Sequence, residues 1–226
     1  MHIYDKNWAE SYEQLAEAGI PSRAGLYRLC HTVLAQTPSD SNVLIVGCGT
    51  GADLIPLVKS FPGWTFDAIE PAKEMIAYCQ RKLDRLGFGE RVKLHEMNLE
   101  SYSTTKRYDA ITSVLVSQHL SDDRDAQDFF SKLHDLLLPG GWLFSAEVHI
   151  AVNQDRERML SLWEQQALFA GTPAEIVSGL RSRFETDLRP RDEAVIEKFL
   201  SRAGFKSWLK PFSSLIYGAW CARKDT

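Results

Sequence analysis

The stretch VLIVGCGTG, Val43 to Gly51, constrains this chain more than any other. Apolar, mostly β-branched residues run into a turn with glycine at Gly47, Gly49 and Gly51, and a helical pattern starts directly behind it. A buried parallel strand feeding such a turn needs glycine where the backbone takes left-handed angles, or approaches a ligand with no Cβ in the way. The following helix aims its first N–H groups at whatever rests on the turn.

The chain behind the turn repeats the strand-then-helix alternation. Trp64 to Ile69 reads as a second strand, and Glu70 stands at its end, 19 positions beyond Gly51. An acid at that offset can accept hydrogen bonds from both hydroxyls of a ribose. Further strands are expected at Arg91 to His95, Tyr108 to Leu115 and Trp142 to Val148. Between the last two lies a helix with Ser121 as N-cap, stopped by Pro139-Gly140-Gly141. A final helix over Arg191 to Ala203 and two strands, Phe205 to Phe212 and Leu215 to Cys221, close the chain. The pattern predicts an α/β fold with a doubly wound, mostly parallel sheet, its ligands at the carboxyl ends of the strands.

Composition narrows the class. At 226 residues the chain suits a single domain, 1–226, with a helical cap over 1–38 and a helical insertion over 151–190. A net charge of −4 argues against dependence on sequence-independent phosphate binding, and the segment from Ala151 to Arg191 balances six arginines against six acids. Nucleic acid is therefore demoted as a partner. Cys30, Cys48, Cys79 and Cys221 form no CxxC pair, so no metal site is expected. No apolar run suggests a leader or a membrane span, which leaves the cytoplasm as the expected compartment.

Two cofactor classes fit the first half, since GCGTGA also satisfies the dinucleotide pattern, with Ala52 as its last small residue. In full order, however, the motifs VLIVGCGTG, FDAIEPAKEM, MNLESY, YDAITSVLVSQHL, LLLPGGWLFSAEV and YGAWCARK resemble the class I S-adenosylmethionine-dependent methyltransferases over nearly the whole chain. The resemblance implies a Rossmann-like, seven-stranded sheet with an antiparallel C-terminal strand. It also implies S-adenosylmethionine as cofactor and S-adenosylhomocysteine as product. By position, Gly47, Cys48, Gly49 and Gly51 would cradle the methionine part. Glu70 would hold the ribose, Met75 would pack beside the adenine region, and Met97 and Asn98 would meet the adenine. Many relatives carry Asp at the Asn98 position. Ser113, Val114 and Leu115 would line the methyl-donor side.

A sulfonium methyl is already activated, so the enzyme chiefly has to place a nucleophile in line and exclude water. Candidate bases at the strand ends are His119, Glu147 and His149, each with a structural alternative such as capping, arginine pairing or packing. Trp8, Tyr12, Tyr27 and Trp163 are candidate walls of an acceptor site formed by the cap and the insertion. The expected activity is methyl transfer to O, N or C of a small molecule by a monomer or homodimer. Alternatives are a tRNA-modification enzyme making or using a modified cofactor, a non-catalytic cofactor-binding protein and, more distantly, a nicotinamide dehydrogenase.

Overall fold

A computed structural model describes residues 16, 17, 19–150 and 156–226, and every statement of structure below concerns these. Seven strands form one sheet: β1 (Asn42–Val46), β2 (Thr65–Ile69), β3 (Val92–His95), β4 (Tyr108–Val114), β5 (Leu137–Val148), β6 (Trp208–Ser214) and β7 (Tyr217–Arg223). Their order is β3-β2-β1-β4-β5-β7-β6, in which β1 to β5 run parallel and β7 is antiparallel to both its neighbours. The order reverses between β1 and β4, the place where ligands bind in sheets of this kind.

Alternation along the strands divides the interior into two layers. Leu44 and Val46 face one side, packed with Phe130 and Leu133 of helix α4 (Asp123–Leu136) and Phe199 of α7 (Glu193–Ala203). Val43 and Ile45 face the other side. There they meet Leu26 and Leu34 of α1 (Arg23–Leu34), Leu54 and Leu57 of α2 (Leu54–Ser60) and Cys79 and Leu83 of α3 (Lys73–Leu86). The insertion contributes α5 (Arg156–Phe169) and α6 (Ala174–Thr186), with Trp163 buried in this second layer.

Two of the boundaries that differ from the expectation have a visible physical cause. The N-cap of α4 is Asp122 rather than Ser121, its carboxylate accepting the N–H groups of Arg124 and Asp125 at 2.8 and 2.9 Å. Strand β5 begins at Leu137, so Pro139-Gly140-Gly141 lies inside it. Leu137 pairs with Tyr108, and Gly140 N–H donates to the Lys224 carbonyl beyond the end of β7, so the neighbouring chain claims this segment as strand.

The turn after β4 is fixed from behind. Buried Arg191 donates to the carbonyls of Ser117 at 2.9 Å, Asp122 at 2.8 Å, Leu120 at 3.3 Å and Arg189 at 3.2 Å, and to the Asp123 carboxylate at 2.9 Å. Beneath it Glu147 accepts the hydroxyls of Ser117 and, at 2.5 Å, Ser145. Burial pushes the Glu147 carboxyl from its ordinary 4.5 up to about 7, against the opposing effect of those hydroxyls and of Arg191.

The folded chain therefore holds a proton at Glu147 that the unfolded chain releases, and stability from this group is lost as pH rises from about 4.5 to about 7. Glu147→Gln removes that dependence: its melting temperature should rise relative to the parent between about pH 5 and about pH 8. A gap equal at both pH values would show that Glu147 does not titrate in this way. A second test concerns Gly51, whose φ is +83° and whose added Cβ would lie 2.8 Å from Cys79 Sγ. Gly51→Ala should destabilise the fold by about 1–3 kcal/mol in urea titration, through left-handed strain and overpacking.

Candidate active site

The three glycines of the opening turn all have positive φ, but for different reasons. A Cβ on Gly47 would meet Val116 Cγ2 at 2.5 Å, and one on Gly51 would meet Cys79 Sγ, so both are required by packing within the protein. At Gly49, with φ +51°, the nearest atom to an added Cβ is Met75 Cε at 3.6 Å, an ordinary contact. Gly49 is thus the glycine of the three with room beside it, and buried Met75 is its nearest neighbour there.

The donors of the turn are engaged inside the protein. Gly47 and Cys48 N–H both donate to the Ile69 carbonyl, and Gly51 N–H donates to the Cys48 carbonyl. Gly49 N–H donates to Glu70 Oε2 at 3.0 Å. A diphosphate would draw on such N–H groups. A turn that has committed four of them suits a ligand without phosphate at this point, which favours S-adenosylmethionine over a dinucleotide. Cys48 contributes backbone only: its thiol is buried in the core, and hydrogen bonding with Cys79, then burial, raise its pKa.

Glu70 also accepts the Ala72 N–H at 2.9 Å, so its carboxylate is held by one bond on each oxygen. Burial raises its pKa and the two N–H bonds oppose that rise. Each oxygen retains a lone pair for a ribose hydroxyl. Met97 is half-buried and Asn98 exposed; Asn98 Oδ1 accepts the Ser101 N–H at 2.9 Å, so its amide N–H groups are what it can offer an adenine. Ser113 is fully buried at the end of β4, and its Oγ has no partner among the described residues. Val114 is half-buried and Leu115 takes φ +59°, a strained conformation for a branched side chain.

Beyond Leu115 opens a cavity. One wall is Leu115, Gln118 and His119 after β4, with Val148 and Tyr217 from β5 and β7. The cap supplies Ala16, Gly19 and Ile20. The insertion supplies Trp163 of α5 and Leu180, Arg183 and Phe184 of α6. Trp163 Nε1–H donates to the Gly19 carbonyl at 2.7 Å, joining cap to insertion. His119 keeps part of its surface open, yet the protein around its ring and then the charge of Arg183 push its pKa down to about 4. It is a neutral imidazole at neutral pH.

Of the expected bases the structure brings only His119 to this cavity. Glu147 lies behind the turn, 1% exposed, under Ser117 and Ser145. His149 packs edge-on against Trp220 and over Gly218, with Lys210 and Glu193 as its charged neighbours. Trp163 is in the cavity wall. Tyr27 instead lies under the Arg23 guanidinium on α1 and is not part of the wall. Trp8 and Tyr12 lie outside the described residues. Gln118, Arg183 and Tyr217 were not anticipated. For Gln118 its place beside His119 was the available signal, while Arg183 and Tyr217 reach the cavity only through tertiary packing.

Comparison with known proteins agrees with this geometry. Residues 44–143 match a family described as a methyltransferase domain. Malonyl-[acyl-carrier protein] O-methyltransferase 2 of Ilyobacter polytropus is 29% identical over 100 residues, 44% of this chain and 36% of that protein. The biotin biosynthesis bifunctional protein BioHC of Teredinibacter turnerae is 31% identical over 106 residues, 44% of this chain and 18% of that one. The chain thus spans 18% to 36% of the length of the curated relatives it matches. In fold it is similar to human N-acetylserotonin methyltransferase in complex with S-adenosylmethionine, with TM-score 0.66, 18% identity, and 98% of this chain and 57% of that one covered. The N-methyltransferase NodS of Bradyrhizobium japonicum, in complex with S-adenosylhomocysteine, gives TM-score 0.61 at 15% identity, with 96% and 99% covered. Residues 44–143 thus carry a methyltransferase domain, and the order of the sheet is that of the class I S-adenosylmethionine-dependent methyltransferase fold.

Proposed function

We propose that this chain transfers the methyl group of S-adenosylmethionine to a small organic acceptor held in the cavity beyond Leu115. The observation that supports this reading is the contiguity of the two sites. Val116 is in contact range of the glycine turn at Gly47, and its neighbour Leu115 lines the cavity. Residues after β4 would therefore touch donor and acceptor together.

In this reading Gly49 and Met75 bound the donor site, Glu70 holds the ribose hydroxyls, Asn98 and Met97 border the adenine, and Ser113 to Leu115 line the methyl side. The sulfonium supplies an activated methyl group when bound. The chain contributes position and dryness: a nucleophile in line at about 3 Å gains most of its advantage from orientation. His119, neutral and weakly basic, orients an acceptor hydroxyl or amine rather than carrying a large share of proton transfer. Glu147 and His149 have structural roles here, and the acceptor is a small molecule, as the aromatic and aliphatic lining of the cavity favours.

Isothermal titration with S-adenosylmethionine and S-adenosylhomocysteine tests the donor half. Both should bind, and Glu70→Ala should weaken binding by about 1–3 kcal/mol through lost charge-assisted hydrogen bonds. Failure of both ligands to bind would overturn the proposal, and unchanged affinity in Glu70→Ala would remove that residue from the site. Labelled-methyl transfer across a panel of small acceptors tests the other half.

A further inference from the structure

A second hollow, of about 260 Å³, shares Phe184 and Leu188 with the cavity beyond Leu115, and its lining is charged where that of the cavity is mainly apolar. Three arginines and two aspartates face it. Their partners decide which charges are available. Asp122 caps α4 through Oδ1, which accepts the Arg124 and Asp125 N–H groups, and Asp123 pairs with Arg191 at 2.9 Å. Arg191 has committed every nitrogen of its guanidinium to that carboxylate and to four carbonyls.

The other two arginines are differently engaged. Arg156 gives one N–H, from Nη2, to the Phe184 carbonyl at 2.9 Å and keeps its other donors. Arg189 gives its backbone N–H to the Gln118 carbonyl at 2.7 Å, while its guanidinium has no partner among the described residues. One net positive charge remains in the wall, and the unused donors belong to two planar forks of the kind that hold carboxylate or phosphate oxygens. Arg156 also opens α5, whose N-terminal dipole has the same sign.

We propose that this hollow binds an anionic group, a carboxylate or a phosphate, at the far end of an acceptor whose reactive end lies in the cavity beyond Leu115. This rests on the reading of the cavity as the acceptor site. The two shared side chains make the connection: Leu188 is half-buried, and the linking part of the acceptor runs over it from apolar lining to charge. An acceptor held at both ends is oriented at its reactive end, so Arg156 and Arg189 select the acceptor from a distance. Both side chains are exposed, which limits the strength of the pairing and makes it depend on salt.

Titrations of the full chain saturated with S-adenosylhomocysteine, at low salt, test the inference, using ω-phenylalkanoates of increasing chain length and the matching amides as probes. A short carboxylate should bind no better than its amide. Once the chain is long enough to pass Leu188, the carboxylate should bind at least about fivefold more tightly, a gain that shrinks at high salt. Arg156→Gln and Arg189→Gln should each reduce that preference and the double variant should abolish it, with amide affinities within about twofold, a pattern that a damaged fold would not produce. Pyrophosphate should compete with the long carboxylate and not with its amide, and equal competition with both would overturn the assignment. Equal affinities of carboxylate and amide at every length, no binding by any member of the series, or a preference unchanged in the double variant, with S-adenosylhomocysteine still bound, would overturn the inference while leaving the methyltransferase reading intact. Loss of S-adenosylhomocysteine binding in the parent would instead count against that reading and, with it, this one.

Discussion

Four carbonyl oxygens and a carboxylate converge on the guanidinium of Arg191, and the turn after β4 has its shape because of them. That turn cannot satisfy its carbonyls by regular structure: it contains a left-handed leucine, a single 3₁₀ turn over Ser117–His119 and the start of α4. Buried carbonyls without donors would be costly, so one five-donor side chain at the start of the last helical region supplies what a helix or a sheet would have supplied. Glu147 completes the arrangement from the strand side through Ser117 and Ser145. Leu115, Gln118 and His119, which line the cavity, inherit their positions from this buried framework.

The strand-to-turn motif and the antiparallel last strand were legible in the sequence because they follow local rules: β-branched runs, glycine where φ is positive, and periodicity. The meaning of the glycines was only partly legible. Gly47 and Gly51 are excluded from bearing a Cβ by Val116 and Cys79, contacts that arise from residues far along the chain, whereas Gly49 has only an ordinary contact with Met75 beside it. Glu147 and His149 illustrate the opposite failure. Their position at the end of β5 suggested chemistry, but alternation turns both side chains to the layer shared with Trp220, away from the cavity. Arg191 carried no sequence signal beyond its charge, since its function depends on five partners brought together only by folding.

The electrostatics of the site follow one pattern. Buried acids are kept near neutrality or firmly hydrogen-bonded, as at Glu147 and Glu70, and the histidine in the cavity is kept uncharged. A site that binds a sulfonium has little use for an extra cation, and a site that must exclude water has little capacity to solvate one. Arg183, which lines the cavity, belongs to the insertion.

The bond from Trp163 Nε1 to the Gly19 carbonyl spans 144 residues and lies buried between segments that also share the core around Ile20 and Leu160. Any breathing of the cavity that parts the cap from α5 must strand a buried indole N–H and a buried carbonyl at once. Separation of Gly19 from α5 therefore carries the cost of two unsatisfied polar groups, and that cost ties the start of the described chain to the insertion.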